Sequence, residues 1–299
     1  MAPGAARVDL SRAPRLLPVL AKGVLTGFGK RPRADAGVPR TRLVLPAVRV
    51  GLGRAASYAR VCGFQATEPL PVTYPHVLGF PLAARLMSAR EFPLPMLGLV
   101  HTGIEITQYV PLHPADTLEL TVFASGLRAH RRGTEVVMIT EARRAGALVW
   151  HDRSVYLARH RTPESAAPPE PEAEQEPEPE PRSLPVRATW RLPADLGRRH
   201  AAVSGDYNPI HLHALTARAL GFPRAIAHGM WTFARCAAEA VPPGTPAFRI
   251  SAGFRAPVLL PATVSYAYET TRTGGSFQLL GGPDDRARVH LEGQVETGA

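Results

Sequence analysis

Val203-Ser-Gly-Asp-Tyr-Asn-Pro-Ile-His-Leu-His213, followed by Gly221-Phe-Pro-Arg-Ala-Ile-Ala-His-Gly-Met230, is the stretch of this 299-residue chain that decides its reading. Asn208 is a preferred N-cap and Pro209 a preferred first helical residue. Gly221 followed by Pro223 is a stop signal, so the pattern predicts a helix over Pro209–Leu220. His211 then falls in the first turn, with Asp206 in the turn just before the cap. The helix's positive N-terminal end disfavours imidazolium and the neighbouring carboxylate favours it, a balance expected to leave the pair ready to exchange protons near neutrality. His228-Gly229 opens a second helix, Gly229–Ala240 (GMWTFARCAAEA), apolar almost all round and ended by Val241-Pro242-Pro243-Gly244. Free N–H groups at its start can bind developing negative charge. Acid, imidazole and oxyanion donor together suit proton chemistry next to a carbonyl. Simpler readings exist for each residue: Asp206 as a turn-former, His211 as a surface histidine.

Around this stretch the chain alternates as strands do. Thr134–Glu141 and Ala147–Leu157 are rich in β-branched and aromatic residues, and Phe248–Phe254, Thr263–Thr270 and Val289–Val295 read similarly. Gly274-Gly275 and Gly281-Gly282 mark hairpin turns. A second buried helix is expected over Leu82–Glu91, after Pro81 and before Pro93. One buried helix among many strands in each half gives an α+β class, a sheet wrapped on a helix.

The two halves also resemble each other. Tyr58-Ala-Arg-Val-Cys-Gly-Phe64 aligns with His200-Ala-Ala-Val-Ser-Gly-Asp206 at an offset of 142, and Pro111–Thr117 aligns with Pro257–Thr263 at 146 or 147. Two similar offsets argue for duplication. Where the second half has Asp206, the first has Phe64. Between the halves, Thr162–Pro181 holds seven Pro and seven Glu and no Lys, Arg or aromatic residue, the composition of an extended, semi-rigid spacer. The expected organisation is a basic arm at 1–40, a first domain at 41–161, an acidic linker at 162–185 and a second domain at 186–299.

Composition sets the outer bounds. Hydrophobic residues make up 45% and charged residues 20%, normal for a globular chain with a real core. Two cysteines, Cys62 and Cys236, make no disulfide framework and no zinc spacing. No apolar run reaches the roughly 18 residues of a membrane helix, and Leu16–Phe28, broken by Pro18, Lys22 and Gly23, lacks a clear cleavage site; a cytoplasmic protein with no membrane partner is expected. The first 40 residues carry eight Lys/Arg against Asp9 and Asp35, weakly like a transit peptide, although Leu16, Leu17, Leu20 and Leu25 suit an arm packed on the first domain. The net charge of +10 rests on dispersed arginines with 7% aromatics and no binding motif, which argues against nucleic acid. Ser204 is in no G-x-S-x-G elbow. A metal site from His211, His213, Asp206 and His228 is disfavoured, because residues two apart on a helix do not share a face.

Ser204-Gly-Asp-Tyr-Asn-Pro-Ile-His211, then five residues and Ala217, is similar to the signature of the (R)-specific enoyl-CoA hydratases and MaoC-like dehydratases. Ile226-Ala-His-Gly-Met230 resembles the family's next block. Tyr58–Phe64 and Pro71–Val77 resemble the first half of its two-domain members. His200 departs from the family, which usually has an aromatic residue there, commonly Tyr. The resemblance implies a double hot-dog fold: two antiparallel sheets, each wrapped round a central helix. It implies reversible syn hydration of a trans-2-enoyl thioester to the (3R)-hydroxyacyl thioester, as in fatty-acid or polyketide-type metabolism. Asp206 and His211 would activate water, and the Gly229 N–H would polarise the thioester carbonyl. Ser204, Gly205, Asn208 and His228 would support the loop. No metal or redox cofactor is implied; the substrate is carried on coenzyme A or an acyl carrier protein. The first half, lacking the acid, is expected to hold an acyl tail with Tyr74, Leu78 and Phe80, and to pack on the second as a pseudo-dimer. A homodimer of such chains is a further assembly this fold allows. A non-catalytic acyl-thioester binder and a hot-dog thioesterase are the alternatives.

The linker reading has a direct consequence. Shortening Ser165–Pro179 to a few residues that still span the gap should leave activity within about twofold, since a solvated spacer takes no part in a site. A large loss in a steady-state assay would show instead that the acidic run docks on the basic surface.

Overall fold

The structure, a computed structural model, describes residues 6–162, 184–282 and 287–298. The first half contributes β1 (Ala6–Asp9), α1 (Leu16–Gly27), β2 (Thr41–Arg49), α2 (Leu52–Cys62), α3 (Tyr74–Met87), β3 (Leu99–Gln108), β4 (Thr117–His130), β5 (Gly133–Arg144) and β6 (Ala147–Arg159). The second contributes β7 (Val186–Leu192), α4 (Leu196–Ser204), a single 3₁₀ turn (Pro209–His211), α5 (Ala214–Ala219), α6 (Gly229–Ala240), β8 (Phe248–Phe254), β9 (Ala262–Thr271), β10 (Gly274–Gly281) and β11 (Arg288–Thr297). Most of the linker lies outside the described residues; Leu184, where the chain resumes, is buried.

Strand order makes the duplication visible. The first half runs β2-β4-β5-β6-β3 and the second β7-β9-β10-β11-β8, the same path taken twice. Every pairing within these two sets is antiparallel. α3 packs on β2, β4 and β5, and α6 packs on β8, β10 and β11, so each half is a sheet wrapped on its own helix. The fold is a double hot-dog. The two sheets are not separate, however: β3 pairs with β8, from Gly103 opposite Gly253 to Gln108 opposite Phe248, and eleven strands form one continuous sheet. Ile106 and Ile250 face each other across this seam and are both fully buried. β1 is an addition to the repeat, pairing in parallel with β2 at the far edge.

The sequence-derived strands all fall within β5, β6, β8, β9 and β11, and α6 has the expected bounds. Two helices differ. α3 begins at Tyr74 and runs through Pro81, rather than starting after it. Proline removes one intrahelical bond, but Tyr74, Val77, Leu82, Ala84, Leu86 and Met87 are all buried along this helix, and that burial outweighs the missing bond. The helix expected over Pro209–Leu220 is two short pieces, because His213 is extended (φ −145°, ψ 148°) and re-caps the chain for α5. The arm also differs. Leu17 and Leu25 are 72% exposed, so they do not pack on the first half; α1 is held through Gly23 against Met96 and Ser88.

The seam is the joint between the repeats. Ile250→Ala should lower unfolding free energy by about 2–5 kcal/mol, the usual cost of emptying a buried aliphatic site. Denaturant melts check this, and a cost below about 1 kcal/mol would show that the seam is not tightly packed.

Candidate active site

The repeat delivers Asp206 through α4. That helix ends at Gly205, whose positive φ (85°) reverses the chain and whose N–H closes on the Ala201 carbonyl. Gly205 turns Asp206 back under the helix. Ser204 Oγ donates to the His200 carbonyl at 2.8 Å and accepts from the Asp206 N–H at 3.2 Å, fixing the turn from behind. Asp206 Oδ1 accepts from the Asn208 N–H at 3.1 Å, and Asn208 Oδ1 accepts from the Ile210 N–H at 3.4 Å, so Asn208 is the cap that the sequence indicated. The loop is pressed against α4 at Gly197, where a Cβ would lie 1.9 Å from the His211 carbonyl oxygen. No side chain fits there.

His211 is buried at the end of the 3₁₀ turn, and its Nδ1–H donates to the Ile226 carbonyl at 2.9 Å. The second block of the signature therefore orients the first. With Nδ1 so engaged, Nε2 is the free acceptor. His228, the cap of α6, donates through Nε2–H to the Asp206 backbone carbonyl at 2.9 Å. Its ring stacks on His211, centroids 3.7 Å apart. The next residue, Gly229, begins α6, so its N–H has no acceptor within the helix. The ring of Phe254, at the end of β8, sits 3.1 Å from where a Gly229 Cβ would be. Asp206 keeps 31% side-chain exposure, which leaves its carboxylate open to water and substrate.

Electrostatics depart from the expected balance near neutrality. Burial, helped by His228, pushes His211 down to about 3 against the opposing pull of Asp206 and the Ile226 carbonyl. Burial likewise lowers His228, although Asp206 opposes it. His200 lies well below the ordinary histidine range, from burial and then the neighbouring histidines. The expected helix dipole contributes little, since one 3₁₀ turn stands where a helix was anticipated. His211 is a neutral imidazole at physiological pH.

Among the described residues, one group has the spacing of a metal site: the functional atoms of Asp206, His211 and His228 lie within 4.8 Å of one another. The two rings are stacked face to face, and one nitrogen of each already donates to a carbonyl. In-plane lone pairs of stacked rings do not converge on one ion, so the trio fits hydrogen bonding better than ligation. His213 is exposed and outside the group.

Sequence reasoning missed several contributors because they are remote in the chain. Arg54 of α2 donates to the Val203 carbonyl at 3.0 Å, and Leu16 of α1 covers Gly205. Phe254 carries no local signal. His200, the departure from the family pattern, stands between Tyr58 (ring centroids 6.1 Å) and His228 (4.5 Å) and continues an aromatic column into the first half. Of the acyl-binding candidates, Tyr74 is buried with its ring 5.3 Å from Tyr58, and Leu78 and Phe80 are half-buried. Phe64, standing where the second half has its acid, lines a small cavity with Val72, Val241 and Phe248, away from Asp206.

A double hot-dog chain that brings an acid and an imidazole together beside the start of a buried helix defines a class, and the comparisons agree with it. Residues 171–281 match the MaoC like domain. The chain is 37% identical, over 78% of its own length and 81% of the relative's, to 3-hydroxyacyl-thioester dehydratase X of Mycobacterium tuberculosis. The crystal structure of HtdX from the same organism superposes with a TM-score of 0.72 at 34% identity, covering 85% of this chain and 99% of that one. A MaoC-like dehydratase from Phytophthora capsici gives 0.67 at 17% identity, covering 88% and 96%. The chain belongs to the MaoC-like dehydratase family.

The buried histidines make stability depend on pH. Below about 6.5 the unfolded chain takes up protons on His101, His200, His211, His228 and His290, all of which burial holds lower in the folded state, His101 and His211 at about 3. The unfolded state then binds more protons, so stability falls as pH drops from about 6.5 towards 3. Thermal midpoints measured from pH 7 to pH 4 should decline steadily, less steeply in His200→Phe. A flat profile would contradict burial as the dominant cause.

Proposed function

We propose that the chain is a hydro-lyase acting on acyl thioesters, hydrating trans-2-enoyl thioesters and dehydrating (3R)-hydroxyacyl thioesters, with one site per chain in the second half. The observation that carries this reading is the Asp206 carboxylate within 4.8 Å of a His211 ring nitrogen, with the Gly229 N–H at the adjacent helix start. Similarity to a protein named 3-hydroxyacyl-thioester dehydratase supports it.

In hydration, Asp206 and His211 hold a water. One O–H bond breaks as the oxygen joins C3, and that proton passes to the pair. The electrons of the C2–C3 double bond shift towards the thioester, whose carbonyl oxygen gathers charge at the Gly229 N–H. A proton from the pair then reaches C2 on the same face, and the site returns to its starting state. Dehydration is the reverse. A neutral His211 with a locked Nδ1–H suits the accepting role. These steps call on no metal or redox group.

The first half serves as partner rather than as a second site. It has Phe64 where the second has Asp206, and it supplies Tyr58, Arg54 and Tyr156 around the catalytic loop; Tyr156 lies within electrostatic reach of Asp206. We assign the acyl tail to the space between the halves, near α3. The dispersed arginines suit the phosphates of coenzyme A or an acidic carrier protein.

Incubation with crotonyl-CoA separates the alternatives. Hydration removes enoyl absorbance without releasing thiol; a thioesterase releases thiol; a binder does neither. Asp206→Asn and His211→Ala should each lower turnover by about 10²–10⁴ with the fold intact by circular dichroism. The double variant should lose little more than the worse single one, as groups acting as a unit do. Near-normal hydration by either folded variant would refute the assignment.

A further inference from the structure

The first half contains a second acid–histidine pair that the proposed chemistry does not use. Asp152, on β6, is fully buried. His76 Nδ1, in the first turn of α3, bonds Asp152 Oδ2 in a very short contact, and Ser154 Oγ donates to Asp152 Oδ1 at 2.8 Å. Both carboxylate oxygens are thus occupied, and His76 is held with Nε2 pointing away. No described residue bonds that Nε2, and the side chain keeps 10% exposure. Nearby, His101 on β3 runs nearly parallel to His76, ring centroids 6.0 Å apart, and its Nε2 is buried without a partner. Tyr156 stacks on His101 at 4.4 Å.

A buried polar atom costs free energy when it is left unpaired; Asp152 is paired on both oxygens, but His101 Nε2 is buried without a partner and His76 Nε2 is unbonded, which leaves two ring nitrogens for a ligand. Their position relative to the site is specific. Phe254, whose ring lies on Gly229, is 4.9 Å from the His101 ring, and Tyr156 lies within electrostatic reach of both Asp152 and Asp206. The polar cluster and the proposed catalytic pair therefore share neighbours, Phe254 and Tyr156, and His76 lies within electrostatic reach of His200.

We propose that His76, positioned by Asp152 and Ser154, is a specificity-determining residue that binds a hydroxyl group carried on the acyl chain beyond C3. With Nδ1 taken by Asp152, Nε2 is the ring's one remaining hydrogen-bonding atom, which a hydroxyl satisfies as donor or acceptor and a methylene does not. The inference rests on the hydro-lyase reading and on the acyl tail running towards the first half. It extends that reading from enoyl thioesters in general to oxygenated ones in particular.

The test compares kcat/KM for crotonyl-CoA, for trans-2-decenoyl-CoA and for its analogues bearing one hydroxyl at C5 to C9. The wild-type chain should favour at least one hydroxylated position over the plain chain by about tenfold, the scale of one well-made hydrogen bond in a desolvated site. His76→Phe should abolish that preference and leave crotonyl-CoA within about twofold, because a C4 chain carries no hydroxyl for His76 to bind. His76→Gln, which keeps a hydrogen-bonding group, should retain part of the preference. Parity between plain and hydroxylated chains in the wild type overturns the inference even if His76→Phe does not fold. So does a preference that survives in His76→Phe, or a loss that falls equally on crotonyl-CoA. A wild type that hydrates none of these substrates fails differently: it overturns the hydro-lyase reading itself.

Discussion

The backbone pairing of β3 with β8 is the constraint on which the rest of the molecule depends. Neither half presents a complete environment for the loop that carries Asp206 and His211. The seam closes two short sheets into one of eleven strands and fixes the halves in register, Ile106 on Ile250. Register has local consequences at its ends. β8 ends in Phe254, whose ring meets Gly229, and β3 brings His101 against that same ring. From the helical side, α2 packs on α4, and Arg54 reaches the Val203 carbonyl just before the Asp206 turn. A slip of one residue at the seam would reverse the faces of β8 and remove Phe254 from the site.

Burial is the second organising fact, and it acts on protons. His211 stacks on His228, His200 tilts against His228, and each is held as a neutral ring by desolvation. The expectation from sequence, a pair balanced near neutrality by a helix end and a carboxylate, counted the local charges and omitted the burial. The depth of the loop beneath α4 decides the outcome, and that depth comes from Gly197 and Gly205, not from the acid or the imidazole. The same burial makes the fold sensitive to acid, so the condition that keeps His211 neutral also weakens the structure at low pH.

Much of this was legible in the sequence. Strand alternation located five strands, the apolar run and its Pro-Pro-Gly stop gave α6 its bounds, and the 142-residue offset reappears as two helices ending on left-handed glycines, Gly63 and Gly205. The Asp-Asn-Pro-His block is a local motif with local hydrogen bonds, so it reads well. The illegible parts are set by tertiary contacts. Pro81 sits inside α3 because the core buries both sides of it. The 209–220 helix breaks at His213, since His211 is drawn to the Ile226 carbonyl from another segment. Leu17 and Leu25 look like packing residues in the sequence and are exposed in the structure. Phe254, Arg54 and the His76–Asp152 pair belong to strands and helices whose patterns give no hint of chemistry.

The central claim is that one thioester binds per chain, with its carbonyl at the start of α6 and its C3 beside Asp206 and His211. A crystal structure of the Asp206→Asn variant with crotonyl-CoA tests this directly. The account predicts a single ligand, its thioester oxygen about 3 Å from the Gly229 nitrogen and C3 facing His211. A ligand seated instead at the start of α3, or two ligands per chain, would contradict it.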